Sequence, residues 1–122
     1  MNCIDSSGWL EYFADGKKAD FFAPAIEEPK KLIVSSINLY EVFKRIFQQR
    51  GEDAALQAIA LMSQSSVIPV DDAIALSAAK IRIEHKLPMA DSIILATARR
   101  HHAVLWTGDA DFKGLEGVRY TP

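Results

Sequence analysis

This 122-residue chain predicts an α/β fold, a three-layer α/β/α sandwich around a central, mostly parallel sheet. Three observations carry that expectation. Short apolar runs recur at residues 1–4, 32–34, 67–70, 104–106 and 118–120. Segments with helical periodicity separate them, and strands alternating with helices imply parallel βαβ units with right-handed crossovers. The composition, 49% hydrophobic and 25% charged, is that of an ordinary globular protein. A chain of this length fits one domain and buries roughly two-thirds of its unfolded surface, so residues 1–122 are expected to form a single unit without staples.

The first strand, 1–4, runs directly into Asp5. Ser6 and Ser7 are the expected caps of a helix through Trp9, Leu10 and Phe13, which Asp15-Gly16 ends. A second short helix is expected over 19–27, with Pro24 either in its first turn or kinking it. Leu32-Ile33-Val34 forms the second strand, and Ser35-Ser36 caps a helix over 37–49. At about 100° per residue, Leu39, Tyr40, Val42, Phe43, Ile46 and Phe47 share one broad face of that helix. Asn38, Glu41, Lys44, Arg45 and Gln48 share the other. Gly51 separates it from an Ala- and Leu-rich helix over Glu52–Met62. Residues 67–70 read as a third strand, which Pro69 marks as short or at an exposed edge. Asp71 caps a long helix through Ala75, Leu76, Ala79 and Ile83. Pro88 near N1 opens the next helix, which carries Asp91 in its first turns and directs Ile94, Leu95 and Ala98 to the core. Val104-Leu105-Trp106 is the fourth strand and leads into Thr107-Gly108-Asp109. Gly114 and Gly117 bracket a turn before a last short strand, 118–120.

The single Cys3 has no partner in the chain, and its apolar setting predicts a reduced, buried thiol. No apolar run approaches the ~18 residues of a membrane span. The start shows no signal-peptide pattern, so a cytoplasmic protein without a membrane partner is expected. The net charge of −2 offers no basic excess. A nucleic-acid partner must therefore be held at local sites or through a bridging metal, not by general attraction.

In open α/β sheets the reactive centre lies beyond the carboxyl ends of the strands. Two of those ends carry aspartates: Asp5 follows the first strand and Asp109 the fourth. They meet if those two strands lie close together in the sheet. Asp91 opens the helix that leads into the fourth strand, Glu41 lies near the start of the helix leaving the second, and Asp111 adds a fifth acid. Carboxylates gathered at one spot stay ionised together only beside a cation, and hard oxygen donors favour Mg²⁺ or Mn²⁺. Such a site suits phosphodiester hydrolysis, because the metal activates water and neutralises charge on the attacked phosphoryl group. Each acid also has an ordinary role. Asp5 can be only a helix cap, Glu41 a solvated residue, Asp91 a complement to the helix dipole and Asp109 a turn-former. Their joint placement is the signal.

Four segments in order carry a resemblance: Ile4-Asp5-Ser6-Ser7, Ser35-Ser36-Ile37-Asn38-Leu39-Tyr40-Glu41-Val42, Leu87-Pro88-Met89-Ala90-Asp91-Ser92-Ile93-Ile94-Leu95-Ala96-Thr97-Ala98 and Leu105-Trp106-Thr107-Gly108-Asp109-Ala110-Asp111-Phe112. Together they resemble the PIN-domain nucleases, particularly the VapC-like toxins of bacterial and archaeal toxin–antitoxin modules. The resemblance implies a catalytic quartet of Asp5, Glu41, Asp91 and Asp109. Asp5, Asp91, Asp109 and Asp111 would hold Mg²⁺ or Mn²⁺ directly or through water, and Glu41 would take a second metal or position the attacking water. Ser6 and Thr107 would orient carboxylates or water. It further implies a single-strand-directed endoribonuclease, a homodimer, and a cognate antitoxin whose tail fills the acidic groove. The chain is slightly shorter than many members, so a trimmed loop is expected to affect which RNA is cut.

Other residues read more plainly. Lys44, Arg45, Arg99 and Arg100 can touch an RNA backbone, but cations late in helices complement the dipole, and that reading is preferred. His85, His101 and His102 lack an i, i+4 metal spacing and read as surface or capping residues. Trp9, Phe13, Phe43, Phe47 and Trp106 read as core, with Phe21-Phe22 and the Tyr40 to Phe47 face as an alternative dimer or antitoxin surface. A receiver domain would need an acidic pair after the first strand and a lysine after the last. A haloacid-dehalogenase-like phosphatase would need an acid at position 7, which is serine. An RNA-processing PIN nuclease outside a toxin–antitoxin module, or a non-cleaving PIN module, is the closer alternative.

Overall fold

The computed structural model describes all 122 residues. Five strands form one sheet: β1 Asn2–Ile4, β2 Leu32–Ser35, β3 Ser66–Ile68, β4 Val104–Thr107 and β5 Val118–Tyr120. Their order is β3-β2-β1-β4-β5, and every neighbouring pair is parallel, so the sheet is parallel throughout. Six α-helices connect them: α1 Ser6–Phe13, α2 Ala19–Ile26, α3 Ser36–Arg50, α4 Glu52–Met62, α5 Asp72–His85 and α6 Met89–Arg100.

The strands send successive side chains to opposite faces, and each face has its own core. Cys3, Ile33 and Leu105 join Ile74, Ala78, Ile81, Ile94 and Leu95 from α5 and α6. Ile4, Leu32 and Val34 join Trp9, Phe22, Val42, Ile46, Ala58 and Met62 from α1 to α4. This is the expected three-layer sandwich. The chain builds β1, β2 and β3 outward in one direction, then returns through α5 and α6 to lay β4 on the other side of β1. The crevice at that reversal, beyond the carboxyl ends of β1 and β4, is where an open parallel sheet places its ligands.

Local chemistry shifts several boundaries. The cap of α1 is Asp5, not Ser6 or Ser7: its backbone is extended and its side chain accepts from the Gly8 N–H. Both serines already lie inside the helix. Pro24 falls in the last turn of the eight-residue α2, where its missing N–H costs one bond. Ser35 caps α3 in a capping box with Asn38. Pro69 ends β3 at Ile68, and Val67 is exposed at the sheet edge. Pro88 is the N-cap of α6, not its first helical residue, because its ψ of 156° is extended.

Helix α3 departs most from its expected faces. Its buried residues are Asn38, Val42 and Ile46, a stripe at i, i+4, i+8. Tyr40 and Phe47 are exposed, at 53% and 45%. Phe47 therefore leaves the expected core, while Asn38 enters it. Cys3 is fully buried as expected, and burial pushes its thiol up to about 12. All three histidines are exposed. No helix is long and apolar enough to cross a membrane.

Candidate active site

The pairing of β1 with β4 sets Ile4 opposite Trp106, so Asp5 and Thr107 follow side by side. The Asp5 N–H continues the ladder to the Trp106 carbonyl at 3.2 Å. The Asp5 carboxylate accepts three hydrogen bonds. Oδ1 accepts from the Gly8 N–H at 2.8 Å, and Oδ2 accepts from Ser7 Oγ at 2.8 Å and Thr107 Oγ1 at 2.7 Å. Thr107 Oγ1 in turn accepts from the Asp109 N–H at 2.9 Å. Asp109 Oδ1 accepts from the Asp111 N–H at 2.9 Å, shaping the single 3₁₀ turn at Ala110–Phe112. One run of hydrogen bonds thus links Asp5 to the two later acids.

Gly8 makes that floor possible. A Cβ there would lie 2.7 Å from Ile4 Cγ2 and from Phe22 Cε1, and 3.0 Å from Asp5 Oδ1. Only a residue without a side chain brings this N–H against the carboxylate.

The remaining acids arrive from two helices. Asp91 stands in the first turn of α6. Glu41 projects from α3, and its Oε1 accepts from Ser6 Oγ at 2.6 Å. Asp5, Glu41, Asp91 and Asp109 line one cleft of about 310 Å³, together with Ser6, Lys44 and Arg45. Asp111 is exposed at its side, and carboxylate oxygens of Asp91, Asp109 and Asp111 lie within 4.8 Å of one another. Asp5 and Glu41 stand outside that trio, and Thr107 is buried beneath it.

The electrostatics match the crowding. Burial, then Asp109, Asp5, Glu41 and Asp111 in turn, push the Asp91 carboxyl from 3.8 up to about 7. Asp5 is also raised, chiefly by burial, against the opposing hydrogen bonds from Thr107, Ser7 and Gly8. The only direct ion pair in the chain is Lys31 with Glu28, so no lysine or arginine pairs directly with these acids. Three convergent hard oxygen donors without a direct cationic partner fit a divalent cation such as Mg²⁺ or Mn²⁺.

Lys44 and Arg45 are exposed, and both line the cleft. Gly8 and Asn38 also belong to the site's framework, and neither stands out in the sequence. The largest concavity, about 770 Å³, lies further along α3 between Tyr40, Phe43, Phe47 and Ile59 and contains no acid.

Comparison with known proteins bears on the family and the fold. The family model described as the PIN domain matches residues 3–118. A toxin–antitoxin complex from Klebsiella pneumoniae superposes with a TM-score of 0.83 at 28% identity, covering 98% of this chain and 96% of that one. VapC20 of Mycobacterium tuberculosis, described as a sarcin-ricin loop cleaving toxin, superposes at 0.78 with 19% identity, covering 95% of each chain. VapBC2 from Rickettsia felis, bound to a DNA fragment from its promoter, does so at 0.75 with 13% identity, covering 98% of this chain and 96% of that one. At these identities the last two show a shared fold alone. No curated protein matches the chain in sequence.

Proposed function

Since the chain belongs to the PIN-domain family, we propose that it is a Mg²⁺- or Mn²⁺-dependent endoribonuclease and the toxin of a toxin–antitoxin pair. The observation that carries the nuclease reading is the convergence of Asp91, Asp109 and Asp111 oxygens within 4.8 Å beside a cleft that also holds Asp5 and Glu41. In this reading Asp91, Asp109 and Asp111 hold the metal. Asp5 completes the set from the floor, directly or through water. The bound ion would lower the pKa of a water and offset charge on the attacked phosphoryl group. Glu41, with one oxygen tied to Ser6, orients the attacking water and accepts its proton through the other. Lys44 and Arg45 bind the flanking phosphates, which compensates locally for the acidic balance of the whole chain.

The toxin role and the partners rest on the solved neighbours. The Klebsiella pneumoniae structure is a toxin–antitoxin complex, which supports a cognate antitoxin here. RNA as the substrate is proposed from membership of the PIN-domain family together with the acidic cleft. A homodimer, a single nuclease domain over residues 1–122 and a cytoplasmic location complete the proposal.

The test is incubation of purified protein, freed of any partner, with a panel of structured RNAs and Mg²⁺ or Mn²⁺. Discrete cuts that EDTA and Asp5→Asn both abolish are expected. Undiminished cutting by Asp5→Asn, or in EDTA, would overturn the mechanism. Suppression of cleavage by the product of an adjacent small reading frame would separate a toxin from an RNA-processing nuclease.

A further inference from the structure

Asn38 stands at the head of a hydrogen-bond chain that ends on Glu41. The Ser35 N–H donates to Asn38 Oδ1 at 3.1 Å, Asn38 Nδ2 donates to Ser6 Oγ at 3.0 Å, and Ser6 Oγ donates to Glu41 Oε1 at 2.6 Å. The first donor fixes the direction of the rest. A backbone N–H can only donate, so Asn38 turns its oxygen to Ser35 and its amino group to Ser6. Ser6 has one proton. With Asn38 donating to its oxygen, that proton is directed to Glu41. Asn38 is fully buried and Ser6 is 9% exposed, so water is kept from the Ser35–Asn38 and Asn38–Ser6 links, while the Ser6–Glu41 link lies at the wall of the cleft. Bonds chained in one direction at low dielectric also reinforce each other.

The chain does more than cap a helix. The capping box of α3 uses Asn38 Oδ1, whereas the amino group and Ser6 lead away from it toward the cleft. Glu41 would otherwise be a half-exposed side chain with several rotamers. Here Oε1 is held, and Oε2 has no protein partner. We propose that Asn38 is a positioning residue for Glu41, acting through Ser6. This rests on the nuclease reading, in which Glu41 acts on the attacking water.

A double-mutant cycle with a spectroscopic arm tests it. Asn38→Ala and Ser6→Ala should each lower kcat by about 10- to 100-fold with KM for RNA unchanged, the range typical of outer-shell partners. The double variant should lose no more than either alone. Additive losses, or full kcat in folded Ser6→Ala, would overturn the proposal. Ser6→Ala leaves the cap intact, so it decides the activity arm if Asn38→Ala does not fold. In the NMR arm, Glu41→Ala should displace the Asn38 side-chain amide resonances, and should fail to do so in a Ser6→Ala background. Displacement of equal size in both backgrounds, or none in either, would overturn it. If the unmodified protein cuts no RNA, the nuclease reading fails, and the amide resonances alone decide the relay.

Discussion

Thr107 Oγ1 donates to Asp5 Oδ2 at 2.7 Å and accepts from the Asp109 N–H at 2.9 Å, so one hydroxyl joins the ends of β1 and β4. Thr107 is fully buried. Thr107→Val keeps the shape but removes a donor to Asp5 and orphans the Asp109 N–H. The expected loss is ~1–3 kcal/mol of stability, the cost of leaving a buried polar group unpaired, with Thr107→Ser restoring both bonds. Urea unfolding measures this; a Val variant as stable as the parent would contradict the geometry.

Gly8→Ala makes a sharper steric case. In most helices alanine is better than glycine by about 0.8–1 kcal/mol. Here its methyl would meet Ile4 and Phe22 at 2.7 Å and crowd Asp5 Oδ1 at 3.0 Å. We expect the substitution to destabilise the protein and to lower nuclease activity. A rise in Tm would show that the floor of the cleft relaxes freely.

Charge repulsion around Asp91 predicts how stability responds to pH. Without metal, the native chain keeps the Asp91 proton up to about 7, while the unfolded chain releases it near 3.8. The native state binds more protons across that window, so stability falls as pH rises through it. The raised Asp5 carboxyl acts in the same direction. Thermal unfolding in EDTA should show Tm falling from mild acid to neutrality, with a shallower fall in Asp91→Asn. Added Mg²⁺ or Mn²⁺ should raise Tm more at neutral pH than in mild acid, because binding must displace protons. A Tm that climbs steadily to neutrality without metal would contradict the crowding.

Lys44→Gln and Arg45→Gln should leave the fold unchanged and weaken RNA binding. Each removed phosphate contact should lower the slope of log K against log salt by about 0.7 for a single strand. Binding isotherms at several salt concentrations, measured on an inactive Asp91→Asn background, give that slope. An unchanged slope would remove both residues from the RNA path.

The fold was largely legible because short apolar runs and helical stretches alternate in the sequence. Strand order was not. The meeting of Asp5 and Asp109 depended on β4 returning beside β1, which only the paired register supplies. Caps were legible in kind but not in place: an acid and two serines stand together, all suitable, and the extended backbone of Asp5 selects it. Asn38 was hidden by residue type. On a helical wheel it sits with polar neighbours, yet it heads the buried stripe shared with Val42 and Ile46, because partners at Ser35 and Ser6 satisfy its amide. Phe47 was misplaced for the converse reason: α3 carries more apolar surface than one packed face can cover. Gly8 gave no signal, since its role comes from contact with Ile4 and Phe22.

The central claim is metal-dependent cutting of RNA organised by the acids on α6 and after β4. Single-turnover cleavage of one identified RNA, with Mn²⁺ titrated back after EDTA, tests it most directly. The account predicts rates that rise and saturate with Mn²⁺ in the parent, and a drop on the order of 10²-fold or more in Asp91→Asn at saturating metal. Equal rates in the two proteins, or cleavage that persists without divalent ions, would contradict it.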